Sequence, residues 1–497
     1  MSGLLVAGTT SDAGKSVVTT GICRALARAG VKVAPFKAQN MSNNSMVCAD
    51  TVHGTADIGR AQWIQAVAAN AEPEAAMNPV LLKPGSDHRS HVVVMGQPAG
   101  ELGAGDFTEG RAHLARAAYD AWDDLSSRYD VVVAEGAGSP TEINLRGSDY
   151  VNMGLARHAD LSTVVVGDID RGGLFAAMYG TVALLSAEDQ RLVAGFVVNK
   201  FRGDRGLLQP GLDQISALTG RRVYGVLPWH PDVWLDSEDA LELDARRVRD
   251  GGPALRVAVV RLPRISNFTD VDALGLEPGL DVVFASDPRA LAGADLVVLP
   301  GTRATVADLA WLRQRGLDRA VVAHAAAGRP VLGVCGGFQL LGRSVADPHG
   351  VEGEPGEVAG LGLLDVRTEF APEKVLRLSA GTAWGAATTG YEIHHGRVTR
   401  GPGAEPFLDG ARDGHVFGTM WHGSLETDAF RTAFLTEVAC ATGQAWAPSG
   451  VSFAGARERR LELLADLVEH HLDLDALHAL ALSGPPDVPV LPPGAPR

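Results

Sequence analysis

At 497 residues the chain is too long for one ordinary core, so two large domains or three small ones are expected. Hydrophobic content of 46% with 21% charged residues excludes a disordered chain. A net charge of −15 argues against a general nucleic-acid binder and leaves any anionic ligand to be held by local devices such as glycine loops, helix N-termini or a single Lys. The four cysteines, at 23, 48, 335 and 440, are too scattered for a disulfide framework and form no CxxC pair, which fits a reduced, cytoplasmic setting. No uninterrupted apolar run reaches the ~18 residues of a membrane span.

The first apolar run, Leu4–Ala7, enters a Gly/Thr/Ser turn and then a helical pattern. Further runs at Lys32–Phe36, Val131–Ala134, Thr163–Val166, Gly195–Val198 and Arg222–Val226 repeat this alternation, and a second series follows at Arg256–Val260, Asp281–Ala285, Leu296–Leu299 and Val331–Val334. Continuous apolar runs of this length suit strands buried on both faces. Their alternation with helices predicts two α/β domains with parallel sheets. An acidic cluster, three Arg and Gly251-Gly252-Pro253 mark a connector over 231–253, between domains at 1–230 and 254–440. A helical extension is expected over 441–483 and a disordered, Pro-rich tail over 484–497.

The first strand–helix junction reads Gly8-Thr9-Thr10-Ser11-Asp12-Ala13-Gly14-Lys15-Ser16. Backbone N–H groups of such a loop, from Thr10 through Asp12 and Ala13 to Gly14, together with the helix N-terminus, cradle phosphate. Lys15 adds a point charge near the outer phosphates, and Ser16 offers a hydroxyl to Mg²⁺. Five residues rather than four separate Gly8 from Gly14, so Thr9 stands where the first glycine usually does. This variant loop resembles that of dethiobiotin synthetase and its relatives, which phosphorylate a carboxylate. The resemblance implies ATP, Mg²⁺ and an acidic metal ligand from a later strand end. Glu135 is the best match, with Asp57 a second candidate. It also implies that Asn199, after the strand at 195–198, contacts adenine. Asp168 and Asp170, in Gly167-Asp168-Ile169-Asp170-Arg171-Gly172-Gly173, are candidates to orient phosphate, Mg²⁺ or substrate; an N-cap with a surface ion pair is the plainer alternative.

In the second half, Gly333-Val334-Cys335-Gly336-Gly337-Phe338-Gln339 places a thiol between a buried strand and a helix, where the helix N-terminus favours thiolate. The Gly-x-Cys-x-Gly-x-Gln pattern resembles the class I glutamine amidotransferase elbow, which implies a flavodoxin-like domain, recognition of glutamine through Gln339, and an oxyanion hole from the amides of Gly301 and Gly336. His422, 87 residues after Cys335, stands where the family has its catalytic His. The Glu that commonly follows two residues later is replaced by Ser424. Glu426 lies nearby, and His394 and His395 read as pocket or interface residues.

A dethiobiotin-synthetase-like half followed by a glutaminase lacking the His-x-Glu is the arrangement of the cobyric acid and cobyrinic acid a,c-diamide synthetases. Three runs, Lys37–Ser45, Asp168–Gly173 and Pro263–Asp270, look like signatures of the cobyric acid synthase family. That resemblance implies glutamine and a corrinoid, adenosylcobyrinic acid a,c-diamide, as substrates, with neither nucleic acid nor membrane as partner. In the first run Lys37, Gln39, Asn40 and Asn43 are candidates to read substrate carboxylates and amides. The rivals are the a,c-diamide synthetase and a nucleotide-switch ATPase with a glutaminase-like domain. The latter carries an extra Lys early in the loop, absent between Gly8 and Ala13.

Overall fold

The computed structural model describes residues 2–85, 89–103, 111–233 and 254–492. In the N-terminal half, six all-parallel strands lie in the order Arg222–Pro228, Val193–Phe201, Ser162–Asp168, Gly3–Gly8, Val131–Glu135, Val33–Phe36. Each expected apolar run is one of these strands, buried because helices cover both faces. Gly3–Gly8 is central, so its C-terminal end faces the crevice between Val131–Glu135 and Ser162–Asp168, the place where open α/β sheets bind ligands.

The C-terminal half has seven strands in the order Leu280–Ala285, Leu255–Val260, Leu296–Leu299, Val331–Val334, Val416–Thr419, Gly410–Asp413, Glu405–Phe407. The first five run parallel and the last two antiparallel. Two of the antiparallel features without a counterpart among the expected elements bear on the sites. One is a hairpin, Ser45–Asp50 with Gly54–Gly59. The other is a long ribbon, Val366–Ala383 with Ala386–Arg400. The ribbon's tip turns through Trp384 and Gly385, both at positive φ, and Trp384 packs on Phe407 and Phe417. Its other part crosses to the N-terminal half, where Tyr391 joins that half's core and Thr55 Oγ1 donates to the Leu376 carbonyl at 2.9 Å.

The C-terminal extension also crosses back. Helix Phe453–His471 lies on helix Lys15–Arg28, with Arg24 bonded to Glu458 and Glu462 and Arg28 to Asp466. The tail corrects the expectation of disorder as far as residue 492. Leu491 is buried and its N–H donates to Gln190 Oε1 at 2.7 Å, while the Pro489 carbonyl accepts from Arg221. A Pro-rich chain has few N–H groups of its own to satisfy, so two such bonds anchor it. Residues 493–497, and the connector from 234 to 253, lie outside the described residues. Among the described residues no helix is long and apolar enough to cross a membrane.

Candidate active site

The phosphate loop closes on Gly14, whose φ of 90° and whose contact with Asn199 both require glycine: a Cβ there would sit 2.1 Å from the Asn199 amide nitrogen. Lys15 Nζ donates to the carbonyls of Thr10 (3.0 Å), Ser11 (3.1 Å) and Gly138 (3.1 Å), which holds the ammonium across the mouth of the loop. Ser16 Oγ donates to Glu135 Oε1 at 3.0 Å. Glu135 ends its strand as expected and also accepts from Lys37 Nζ at 2.9 Å and Gln65 Nε2 at 2.5 Å. Burial pushes this carboxyl up, but Lys37, Gln65 and Lys15 outweigh it, so it stays ionised below its ordinary value. Serine hydroxyl plus one carboxylate, beside a loop for phosphates, is a donor set that suits Mg²⁺, which keeps waters and phosphate oxygens for its other positions.

A cleft of about 340 Å³ opens here, lined by Lys15, Ser16, Glu135 and Lys37 and extended by Gln39, Asn40 and Arg111. Gln39 Oε1 accepts from Arg111 (2.7 Å) and Tyr150 (2.5 Å), and Asn40 donates to Gln62 Oε1 at 2.9 Å. Arg111, which the motifs did not single out, supplies a cation at the cleft's far side.

Other expected residues stand outside this lining. Asp57 does not line the cleft. It is buried with Lys83 Nζ at 2.6 Å and Lys374 Nζ at 2.7 Å on the same oxygen, the latter from the ribbon of the other half. Burial raises its carboxyl, yet the two ammonium groups hold it at about 2, so it serves an ion cluster rather than a metal. Asp168 accepts from Lys200 Nζ at 2.9 Å, and the same ammonium bonds the Asp12 carbonyl at 3.0 Å. Arg171 pairs with the Asp12 carboxylate at 2.9 Å. These contacts brace the loop from outside, and neither Asp168 nor the exposed Asp170 lines the cleft. Asn199 likewise braces the loop, donating to the Ala13 carbonyl at 3.0 Å.

In the other half, Cys335 has φ 51° and ψ −112°, a strained conformation for a residue with a Cβ. It is enforced by close packing: a Cβ on Gly337 would lie 1.9 Å from the Leu299 carbonyl. The thiol faces a cavity shared with His422 and Gln339. His422 is fixed by a backbone bridge to Tyr391, with N–H···O distances of 2.9 and 3.0 Å. Its Nδ1 lies 2.7 Å from Asp270 Oδ2, and Asp270 Oδ1 accepts from the Gly423 N–H at 2.9 Å. Burial alone would lower this imidazole's pKa, but Asp270 and Cys335 outweigh it and raise the value to about 10. An imidazolium beside the sulfur favours thiolate, the form in which a cysteine attacks.

Asp270 thus takes the place left open by Ser424. Glu426 turns away, to Arg60 at 2.7 Å and Arg457 at 2.8 Å. The signal available for Asp270 was its position at the end of the Pro263–Asp270 run; chain separation of 152 residues from His422 hid the pairing. Gly301 lies against His422, where a Cβ would be 3.0 Å from the imidazole Cε1, and Gly336 lies against Thr302. His394 and His395 line the same cavity but bond Glu392 (3.1 Å) and the Ala371 carbonyl (3.2 Å). Burial pushes the thiols of Cys23 and Cys48 up, the latter to about 12, which leaves them inert.

The run Lys37–Ser45 links the two centres. Lys37, Gln39 and Asn40 line the nucleotide-side cleft, whereas Asn43 and Ser45 line the Cys335 cavity. The Ser45 N–H donates to Asn267 Oδ1 across the domain boundary at 2.9 Å.

Comparison with known proteins matches this division. Residues 4–242 match the CobQ/CobB/MinD/ParA nucleotide binding domain, and residues 256–430 match the CobB/CobQ-like glutamine amidotransferase domain. A cobyric acid synthase of Mycolicibacterium gilvum (strain PYR-GCK) is 72% identical over 497 residues, covering 100% of both chains. Those of Mycobacterium marinum (strain ATCC BAA-535 / M) and Mycobacterium tuberculosis (strain ATCC 25177 / H37Ra) are 70% and 71% identical, again with 100% of both chains covered. With a phosphate-binding half and a cysteine glutaminase joined in one chain, and full-length relatives of this identity, the chain belongs to the cobyric acid synthase family.

Proposed function

We propose that the chain amidates the b, d, e and g side-chain carboxylates of adenosylcobyrinic acid a,c-diamide in the cytoplasm, using one ATP and one glutamine for each. The observation that carries this reading is the Lys37–Ser45 run, which contributes side chains to both cavities. Between Asn40 and Asn43 the backbone spans at most about 11 Å, so the two chemistries lie close together.

A carboxylate is a poor acyl donor because its oxygen would leave as oxide; phosphorylation turns that oxygen into a good leaving group. The phosphate loop and Lys15 hold the transferring phosphoryl, and Lys37, Gln39 and Arg111 hold the carboxylate beside it. Mg²⁺, held by Ser16 and Glu135, would neutralise phosphate charge. In the other half, Cys335 Sγ attacks the glutamine side-chain carbonyl. The amides of Gly301 and Gly336 stabilise the oxyanion, at about 2.7–4 kcal/mol per donor. His422 passes its proton to the departing nitrogen. Ammonia leaves, the glutamyl thioester remains, and a water activated by neutral His422 then hydrolyses it. Ammonia attacks the acyl phosphate, releasing phosphate and the amide.

Mass spectrometry of products from the diamide substrate, ATP, Mg²⁺ and glutamine tests the assignment. The reading requires accumulation of the product with all four of these carboxylates amidated. Failure to use the diamide, with turnover of the unamidated cobyrinic acid instead, would shift the assignment to the a,c-diamide synthetase.

A further inference from the structure

The Cys335 cavity contains charged groups that the chemistry above does not use. On its wall are three cations, Lys83, Lys374 and Arg303, and one anion, Glu352. The lysines are committed, since both bond Asp57 and Lys83 also bonds Ser45 Oγ at 2.7 Å. Arg303 keeps a donor in reserve: its Nε is buried with no hydrogen-bond partner among the described residues. An unmatched buried guanidinium N–H is destabilising, and a ligand carboxylate would satisfy it.

The backbone fixes where Arg303 stands. It lies two residues beyond Gly301 on the same loop, with its N–H on the Arg264 carbonyl at 2.9 Å. Glu352 is equally well placed. Its own N–H donates to Asp347 Oδ2 at 2.9 Å, and its carboxylate accepts from the Thr305 N–H at 2.7 Å. The Thr305 hydroxyl lies 3.3 Å from Glu352 Oε1 and 3.2 Å from Gln339 Oε1, so the carboxylate is tied to the cavity's glutamine-recognition side. Burial pushes the Glu352 carboxyl up to about 7, only partly offset by Arg303 and Thr305.

We infer that Arg303 and Glu352 are the recognition pair for the head group of the nitrogen donor, Arg303 taking the α-carboxylate of glutamine and Glu352 its α-ammonium. The inference rests on the glutaminase reading of Cys335. A molecule with an amide at one end and a zwitterion at the other is matched by a cavity with a thiol at one place and, elsewhere on its wall, a cation and an anion that form no direct ion pair among the described residues. Binding would satisfy both charges, and would exclude free carboxamides that carry neither.

The test uses the full-length chain, ammonia release from glutamine, and two truncated competitors. Glutaramate lacks the α-ammonium; 4-aminobutanamide lacks the α-carboxylate. Arg303→Met should raise the KM for glutamine and the inhibition constant of glutaramate by about tenfold or more while leaving inhibition by 4-aminobutanamide unchanged. Glu352→Gln should do the reverse, weakening glutamine and 4-aminobutanamide and sparing glutaramate. Arg303→Lys, which keeps charge and bulk, covers the case in which the Met variant does not fold, and should recover part of the affinity for the two carboxylates. Equal weakening of all three ligands, or of none, overturns the pairing. Cys335→Ala run alongside separates the two failures: release of ammonia by that variant would sink the glutaminase reading itself.

Discussion

The two reacting centres are built on opposite plans. The glutaminase is a linear relay: one strained cysteine, one imidazole and one carboxylate, each with a single task, inside the C-terminal half. The synthetase centre is a shared charge. Glu135 is bonded at once by Ser16, Lys37 and Gln65, which come from three different segments, and Lys15 spans three carbonyls. Each half is therefore vulnerable in its own way. A relay can be cut at one group with the rest intact, so its loss should be confined to one nitrogen donor. A shared charge cannot be removed without disturbing phosphate, metal and substrate together.

The largest effect should come from the shared centre. Lys15→Ala is expected to lower amidation by on the order of 10³-fold with glutamine and with ammonium salt alike, read as amide formed per enzyme. Survival of either activity would break the contrast. Next, Asp270→Asn should reduce glutamine-driven turnover by about 10²–10⁴-fold through kcat, with KM and ammonium-driven amidation unchanged. A fall in both activities would show that Asp270 supports the fold rather than His422.

The same variant carries a pH signature. An imidazolium whose pKa is raised stabilises the fold fully below its unfolded value of about 6.5. That contribution is lost as pH rises through about 10. The gap in melting temperature between wild type and Asp270→Asn should therefore be widest below about pH 6.5 and close toward pH 10. A constant gap would mean that the charge on His422 is not what Asp270 stabilises. Smallest in functional terms is Arg60→Met at the boundary. Arg60 is buried with Glu426, so the change should cost roughly 3–5 kcal/mol of stability by denaturant unfolding. Loss of coupling, read as glutamine hydrolysed per amide formed, should accompany it.

Much of this was readable along the chain, for physical reasons. Strands buried on both faces announce themselves as apolar runs, and all ten expected runs are strands. Cys335 and the Gly14-Lys15-Ser16 turn were visible because a nucleophile elbow and a phosphate loop are local, with each requirement met by a near neighbour. What was hidden depends on distant pairing. Asp270 reaches His422, and Lys374 reaches Asp57, across long stretches of chain. The second pairing also sets Asp57 apart: along the chain an acidic residue near the first domain's motifs is a candidate metal ligand, and only the fold brings Lys83 and Lys374 onto its carboxylate. The ribbon Val366–Ala383 with Ala386–Arg400 was missed because its mixed polar and apolar pattern serves two different cores.

Nitrogen release and carboxylate activation occupy separate centres, and a Cys335→Ala variant can tell them apart. Amidation would be measured first with glutamine and then with ammonium salt as the nitrogen source. With separate centres the glutamine-driven rate disappears while the ammonium-driven rate remains at the wild-type level. Equal loss from both sources would contradict it.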